Sequence, residues 1–203
     1  MEFQDVVRKR RVVRNFEDRA IPAEVLDRIL ENALHAPSAG FSQGWAFVVL
    51  EGADQTRRFW DASFGDDDRS SFTYDGLFRA PVVVICLSHK QAYLDRYAEP
   101  DKGWTDKSES HWPVPYWDID TGMASLLMLL TAVDAGLGAL FFGIFPERLA
   151  GVRAAFEVPD EYTPIGAIAI GYAAPDTPSP SLKRGRRPQT AVIHRAGWQA
   201  GSR

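Results

Sequence analysis

The chain is poor in the residues that would tie it to an oxidising, metal-bound or membrane setting. It has one cysteine, Cys86, so no disulfide can close within it, which fits a reducing compartment. Its four histidines, His35, His89, His111 and His194, stand apart in sequence; no metal-ligand spacing joins them, and no metal site is expected. Long hydrophobic runs are missing too. The longest, Met123 to Leu130, is far short of the ~20 residues that span a bilayer. The opening MEFQDVVRKRRVVRNF has neither the apolar stretch nor the small-residue cleavage site of a secretory leader. A soluble, intracellular, cytoplasmic protein is expected, with no membrane partner.

Positive charge is in deficit: 23 lysines and arginines face 27 acidic residues, a net charge of -4. That argues against a general nucleic-acid binder and makes any local basic cluster more informative. No repeat or low-complexity segment is present. GLGALFFG lacks the third glycine of a dinucleotide fingerprint and precedes a strand rather than following one. No Ser-His-Asp relay is found.

What is present suits one domain over residues 1–203, with 45% apolar residues to build a core. Four apolar, β-branched or aromatic runs predict strands at Trp45 to Glu51, Pro81 to Ser88, Ala139 to Gly143 and Ile165 to Tyr172. Helices are predicted at Glu2 to Arg10, Pro22 to His35, Asp118 to Ala135 and Pro146 to Phe156. The third of these has almost no polar face. Such a helix must be covered all round, either by a partner subunit or as the central helix of a monomer. Gly65 to Tyr74 and Asp95 to Trp117 read as irregular, and a loop as long as the latter is usually functional or mobile. The C-terminal extension, Ala173 to Arg203, is expected to cross a surface in extended form and dock its apolar end.

Three constellations carry chemistry. Arg10, Arg11 and Arg14 fall within five residues, and guanidinium is suited to bidentate phosphate binding; a solvated basic turn is the alternative. Ala36 to Trp45 reads APSAGFSQGW, offering exposed amides, two hydroxyls and a carboxamide with little bulk, as a planar or phosphorylated ligand needs. Lys183 to Pro188 reads KRGRRP, a second basic cluster best read as folding back toward the first.

In this order the signals resemble the nitroreductase family. The opening is similar to its RRSxRxF pattern, the loop to APSxxNSQPWxF, Gly136-Leu137-Gly138 to its GLG segment, and the C-terminal end to K-x-R-x-P. The resemblance runs from end to end. It implies an α+β fold, a mixed central sheet flanked by helices, in an intertwined homodimer with FMN at the interface. By resemblance, Arg10 and Arg11 hold the FMN phosphate together with Arg184 and Arg186. Arg14 lies toward the pyrimidine edge of the ring, where positive charge stabilises the reduced form. Pro37, Ser38 and Ala39, with Gln43 nearby, line the other subunit's side, and the strand end at Phe142 and Gly143 offers backbone N–H groups. There are departures. Val12 stands for the family's Ser, Gly44 for its Pro, and Phe41 for its Asn; Phe cannot hydrogen-bond the ring's polar edge and reshapes the pocket.

The resemblance further implies electron transfer from NAD(P)H to a small organic acceptor, nitroaromatic or quinone-like, by ping-pong kinetics, the chemistry residing at the flavin rather than in a catalytic side chain. Residues 95–117 form a candidate substrate lid. With Phe41, Trp104, Trp112 and Tyr116 (beside Trp117) either stack on a flat acceptor or pin the loop to the body. The same scaffold resembles dehalogenases, azoline dehydrogenases and flavin-fragmenting oxygenases. The motifs are also compatible with a flavin binder that has no turnover, and with a deazaflavin in place of FMN.

Overall fold

The computed structural model describes residues 1–65, 69 and 72–198; half of the irregular stretch expected over 65–74 lies outside them. The four strands are β1 (Trp45–Glu51), β2 (Val82–Ser88), β3 (Gly138–Phe142) and β4 (Thr163–Gly171). They form one sheet in the order β1-β2-β4-β3, each neighbouring pair antiparallel. The four-stranded sheet is thus antiparallel rather than mixed; an isolated parallel bridge joins Val12 to Ala139 beside it. The helices are α1 (Phe3–Lys9), α2 (Ala23–Ala33), α3 (Gly52–Ser63), α4 (Lys90–Ala98), α5 (Tyr116–Asp134) and α6 (Leu149–Ala155). The fold is α+β, as the sequence implies.

Every residue of β2 is buried. Because side chains alternate along a strand, Val83, Ile85 and Leu87 join a cluster with Phe59 and Trp60 of α3 and Val152 of α6. Val82, Val84 and Cys86 join another with Leu26 and Ile29 of α2 and Met128 of α5. A strand covered on both faces must be apolar on both, hence the unbroken VVVICL run. Burial pushes the Cys86 thiol up to about 12, so this cysteine is an inert core residue.

Two helices lie where the sequence pattern is weak. α3 follows β1 with no intervening loop; Gly52 makes the turn at φ 78°. The last residues of α4 occupy the start of the stretch read as irregular. α5 packs against α2 and the sheet, and its buried face is mostly small or hydroxylated (Thr121, Ala124, Ser125, Thr131 and Ala132), with Asp120 and Met128 beside them. Thr121, Ser125 and Thr131 return their hydroxyls to backbone carbonyls four residues earlier. Met128 turns inward to the core, while Ile119 and Leu126 are left outward, 43% and 47% exposed. Among the described residues no helix is long and apolar enough to cross a membrane.

The C-terminal extension departs from expectation. It carries short 3-10 turns at Pro180–Arg184 and Gln189–Ala191. Its apolar end does not dock on the chain: Trp198 is 84% exposed and stacks on His194 alone among ring partners.

Candidate functional site

The site begins where residues 12–17 leave α1 as an extended stretch. Val13 and Phe16 are buried and anchor it. Val13 donates its N–H to Ala139 O at 3.3 Å. This close approach requires glycine at 138, where a Cβ would sit 2.7 Å from Val13 Cγ2. On its other side the stretch pairs with the segment after β4. Glu17 N donates to Tyr172 O at 2.9 Å and Ala174 N to Asn15 O at 3.0 Å. Arg14 N donates to Asp176 Oδ2 at 3.0 Å, and the Asn15 amide donates to Pro175 O.

This pairing brings the two basic clusters together. Arg10, Arg11, Val12 and Arg14 line one cavity of about 310 Å³ with Arg186. Thr177, Ser179 and Ser181 add hydroxyls to its wall. No ion pair involves Arg10, Arg11 or Arg186 among the described residues, whereas Arg57, Arg96 and Arg153 elsewhere each face a carboxylate. The Arg14 guanidinium lies 5.0 Å from the Tyr74 ring centroid. Asp176 also borders the cavity, with its carboxylate engaged by the Arg14 amide. Clustered guanidiniums without counter-charges repel one another until an anion arrives. Together with the hydroxyls they are a donor set that fits the phosphate end of FMN. Arg184 closes the Pro180–Arg184 turn but does not line the cavity. The lining hydroxyls and Asp176 escape a reading by charge; the signal that marks them is TPSPS, where prolines fix a chain of hydroxyls just before the basic run.

The loop expected to serve the flavin lies apart. None of Pro37, Ser38, Ala39, Phe41 or Gln43 lines the arginine cavity of the same protomer. The loop is held instead by α4 and α5: Ala39 N donates to Asp120 Oδ2 at 2.8 Å, and Arg96 Nε to Gly40 O at 3.0 Å. Phe41 and Gln43 adopt φ of 57° and 49°, and the Phe41 side chain is 75% exposed. At the end of β3, the Phe142 ring stacks on Trp60, centroids 5.6 Å apart, so only its backbone is on offer. Gly143 is exposed, with open space where a Cβ would be.

The aromatic segment is tightly stapled. Trp112 packs its ring against Tyr93, Tyr97, Trp104, Tyr116 and Trp117. Lys107 pairs with Asp95 at 2.7 Å, Arg96 with Asp101 at 2.7 Å and His111 with Asp106 at 2.9 Å. The hydrogen bond from Lys107 holds the Asp95 carboxyl below its ordinary range, and that from His111 does the same for Asp106. Trp104 and Trp112 thus pin the segment to α4; Tyr116 keeps an exposed edge, at 37%.

Comparison with known proteins agrees with this fold. The profile of the nitroreductase family matches residues 7–172. A protein of Methanothermobacter thermautotrophicus, provisionally named as an NADH dehydrogenase/NAD(P)H nitroreductase, is 28% identical over 86% of this chain and 78% of its own length. The iodotyrosine deiodinase of Haliscomenobacter hydrossis is 23% identical, covering 95% of this chain and 89% of its own. A crystal structure of a nitroreductase family protein from Clostridium difficile superposes with a TM-score of 0.70 at 23% identity, over 98% of this chain and 100% of that one.

Proposed function

The chain belongs to the nitroreductase family and is an oxidoreductase, and from that premise we propose that it binds FMN and passes electrons from NAD(P)H to a small organic acceptor, nitroaromatic or quinone-like. The observation that carries the reading is the meeting of Arg10, Arg11, Arg14 and Arg186 around one cavity, with no carboxylate ion-paired to them among the described residues. When bound, the flavin supplies the redox chemistry, taking hydride from nicotinamide and returning electrons to the acceptor.

The chain's own groups bind and orient. Arg10, Arg11 and Arg186 would hold the phosphate, with Arg184 nearby on its turn. Arg14, fixed through its amide by Asp176, would place positive charge beside the ring and favour the negative charge gained on reduction. The exposed backbone at Gly143 would meet the ring's polar edge. Pro37, Ser38, Ala39 and Gln43 would come from a second copy, since in one chain they stand away from the cavity. The outward Ile119 and Leu126 of α5 are the apolar face on which that copy would pack. Donor and acceptor would use the same space in turn, between Phe41 and the exposed edge of Tyr116, which gives ping-pong kinetics and parallel initial-rate lines. A cytoplasmic setting belongs to this reading and rests on the lone buried thiol.

The test is the absorption spectrum of the purified homodimer, followed by mixing with NADH or NADPH in a stopped-flow instrument. A flavin spectrum that bleaches rapidly supports the reading. A protein that stays colourless when offered FMN overturns it, and a deazaflavin spectrum overturns the choice of cofactor. A second reading, reductive dehalogenation of an aromatic substrate, is favoured by the relative named as a deiodinase. Turnover of an iodinated phenol in preference to a quinone would select it.

A further inference from the structure

The loop at 38–43 is held in a conformation its sequence would not choose. Gly40, Phe41 and Gln43 have φ of 62°, 57° and 49°. For a bulky residue such as Phe the left-handed region is an outlier that survives only where the surroundings over-determine it. Part of that restraint is internal: Gln43 N donates to Ser38 Oγ at 3.0 Å, and Ser42 Oγ donates to Ala39 O at 2.7 Å. The rest comes from α4 and α5. A Cβ on Gly40 would meet the Tyr97 ring at 2.6 Å, so α4 presses directly on the turn.

At the centre is Asp120 of α5, only 1% exposed. A single oxygen, Oδ2, accepts from both Ala39 N and Tyr93 Oη, each at 2.8 Å. No ion pair reaches this carboxylate among the described residues. Tyr93 on α4 is a titratable partner of this carboxylate, and Asp118, two residues away on its own helix, accepts from Ser88 Oγ at 2.6 Å. Stability does not call for a buried carboxylate in this position, because an apolar side chain of similar volume usually serves a core as well or better. What the carboxylate does that an apolar side chain cannot is fix the Ala39 amide and the Tyr93 hydroxyl at one point. Tyr93 in turn packs on Trp112 and Trp117.

We propose that Asp120 is a positioning residue for the acceptor side of the site: it sets the left-handed turn that presents Phe41 and Gln43, and through Tyr93 it registers that turn with the aromatic segment around Trp112. The turn and the segment then act as one rigid wall whose shape selects the acceptor. This inference rests on the flavin reading above.

The test uses the full-length homodimer. Backbone hydrogen exchange across 38–43 is followed without FMN in wild type, Asp120→Ala, Asp120→Asn and Tyr93→Phe. FMN titration and steady-state kinetics with the quinone menadione follow on the same proteins. Asp120→Ala is expected to speed exchange in the loop about tenfold and to raise KM for menadione by more than it lowers kcat. Asp120→Asn keeps an oxygen for the Ala39 amide and is expected to recover most of both. Loop exchange in Asp120→Ala equal to wild type, or Asp120→Asn as impaired as Asp120→Ala, overturns the proposal. If Asp120→Ala does not fold, Tyr93→Phe decides: loop exchange about threefold faster supports the proposal, and unchanged exchange overturns it. A wild type that takes up no FMN overturns the flavin reading itself. A wild type that takes it up, beside an Asp120→Ala that matches it throughout, overturns only the role of Asp120.

Discussion

In the arginine cleft Arg10, Arg11 and Arg186 meet with no carboxylate paired to them among the described residues, whereas the loop at 38–43 is tied down by Asp120, Arg96 and its own serines. One region keeps its charges uncommitted and is shaped by only a few backbone bonds. The other carries no charge of its own and spends its hydrogen bonds on holding an unfavourable turn. On the proposed function, the contrast divides the two tasks of a cofactor site. Affinity for a phosphorylated ligand is served by donors left unsatisfied until the ligand comes. Discrimination among flat acceptors is served by a surface that does not yield.

Experiments can break this division at either side. The largest effect is expected in the cleft: Arg10→Ala with Arg186→Ala should weaken FMN binding by about 10²–10⁴-fold, two charge-assisted contacts being lost, while riboflavin, without the phosphate, is little affected in a fluorescence titration. Equal losses for both ligands would remove phosphate binding from the cleft. Next comes the sheet between the two regions. With its pKa raised from 9.0 to about 12, the Cys86 thiol should react with a disulfide reagent at pH 8 about 10³-fold more slowly in the folded than in the unfolded protein. The buried thiol's contribution is complete below pH 9 and is lost as pH climbs toward 12. Denaturant midpoints should therefore fall over that window, and less steeply in Cys86→Ala. Third, Leu126→Glu on the outward face of α5 should raise a dimer dissociation constant about 10²-fold, read by sedimentation. Unchanged assembly would leave the loop without a second chain to meet the cleft. The smallest effect belongs to the loop: Ser38→Ala removes the acceptor for Gln43 N and should speed exchange of that amide about fivefold, with FMN affinity changed less.

The architecture was readable in the sequence wherever hydrophobic pattern and burial coincide. β2 announces itself because both its faces are covered, and α2 because Val25, Leu26, Ile29 and Ala33 recur on one side. α3 and α4 were silent for a shared reason. α4 buries little besides Tyr93 and Leu94, so its periodicity is weak, and α3 begins with six residues dominated by polar side chains. The arginines were legible because like charge in an acidic chain is conspicuous. Asp120 was hidden within a helix that reads as apolar, and Asp176 among prolines, because nothing in a linear pattern tells which lone carboxylate will find a distant amide. The tail's Trp198, expected to dock, belongs with these: it stands exposed.

The knitting of residues 14–17 to 172–176 also bears on when the cleft can first exist. Its two walls are separated by nearly the whole polypeptide, and contacts so remote in sequence close late in folding. A nascent chain leaving the ribosome would carry Arg10 and Arg11 for most of its synthesis with nothing opposite them. The proposed phosphate site would thus be among the last features completed, and a free cofactor could reward only a chain that had already found its topology.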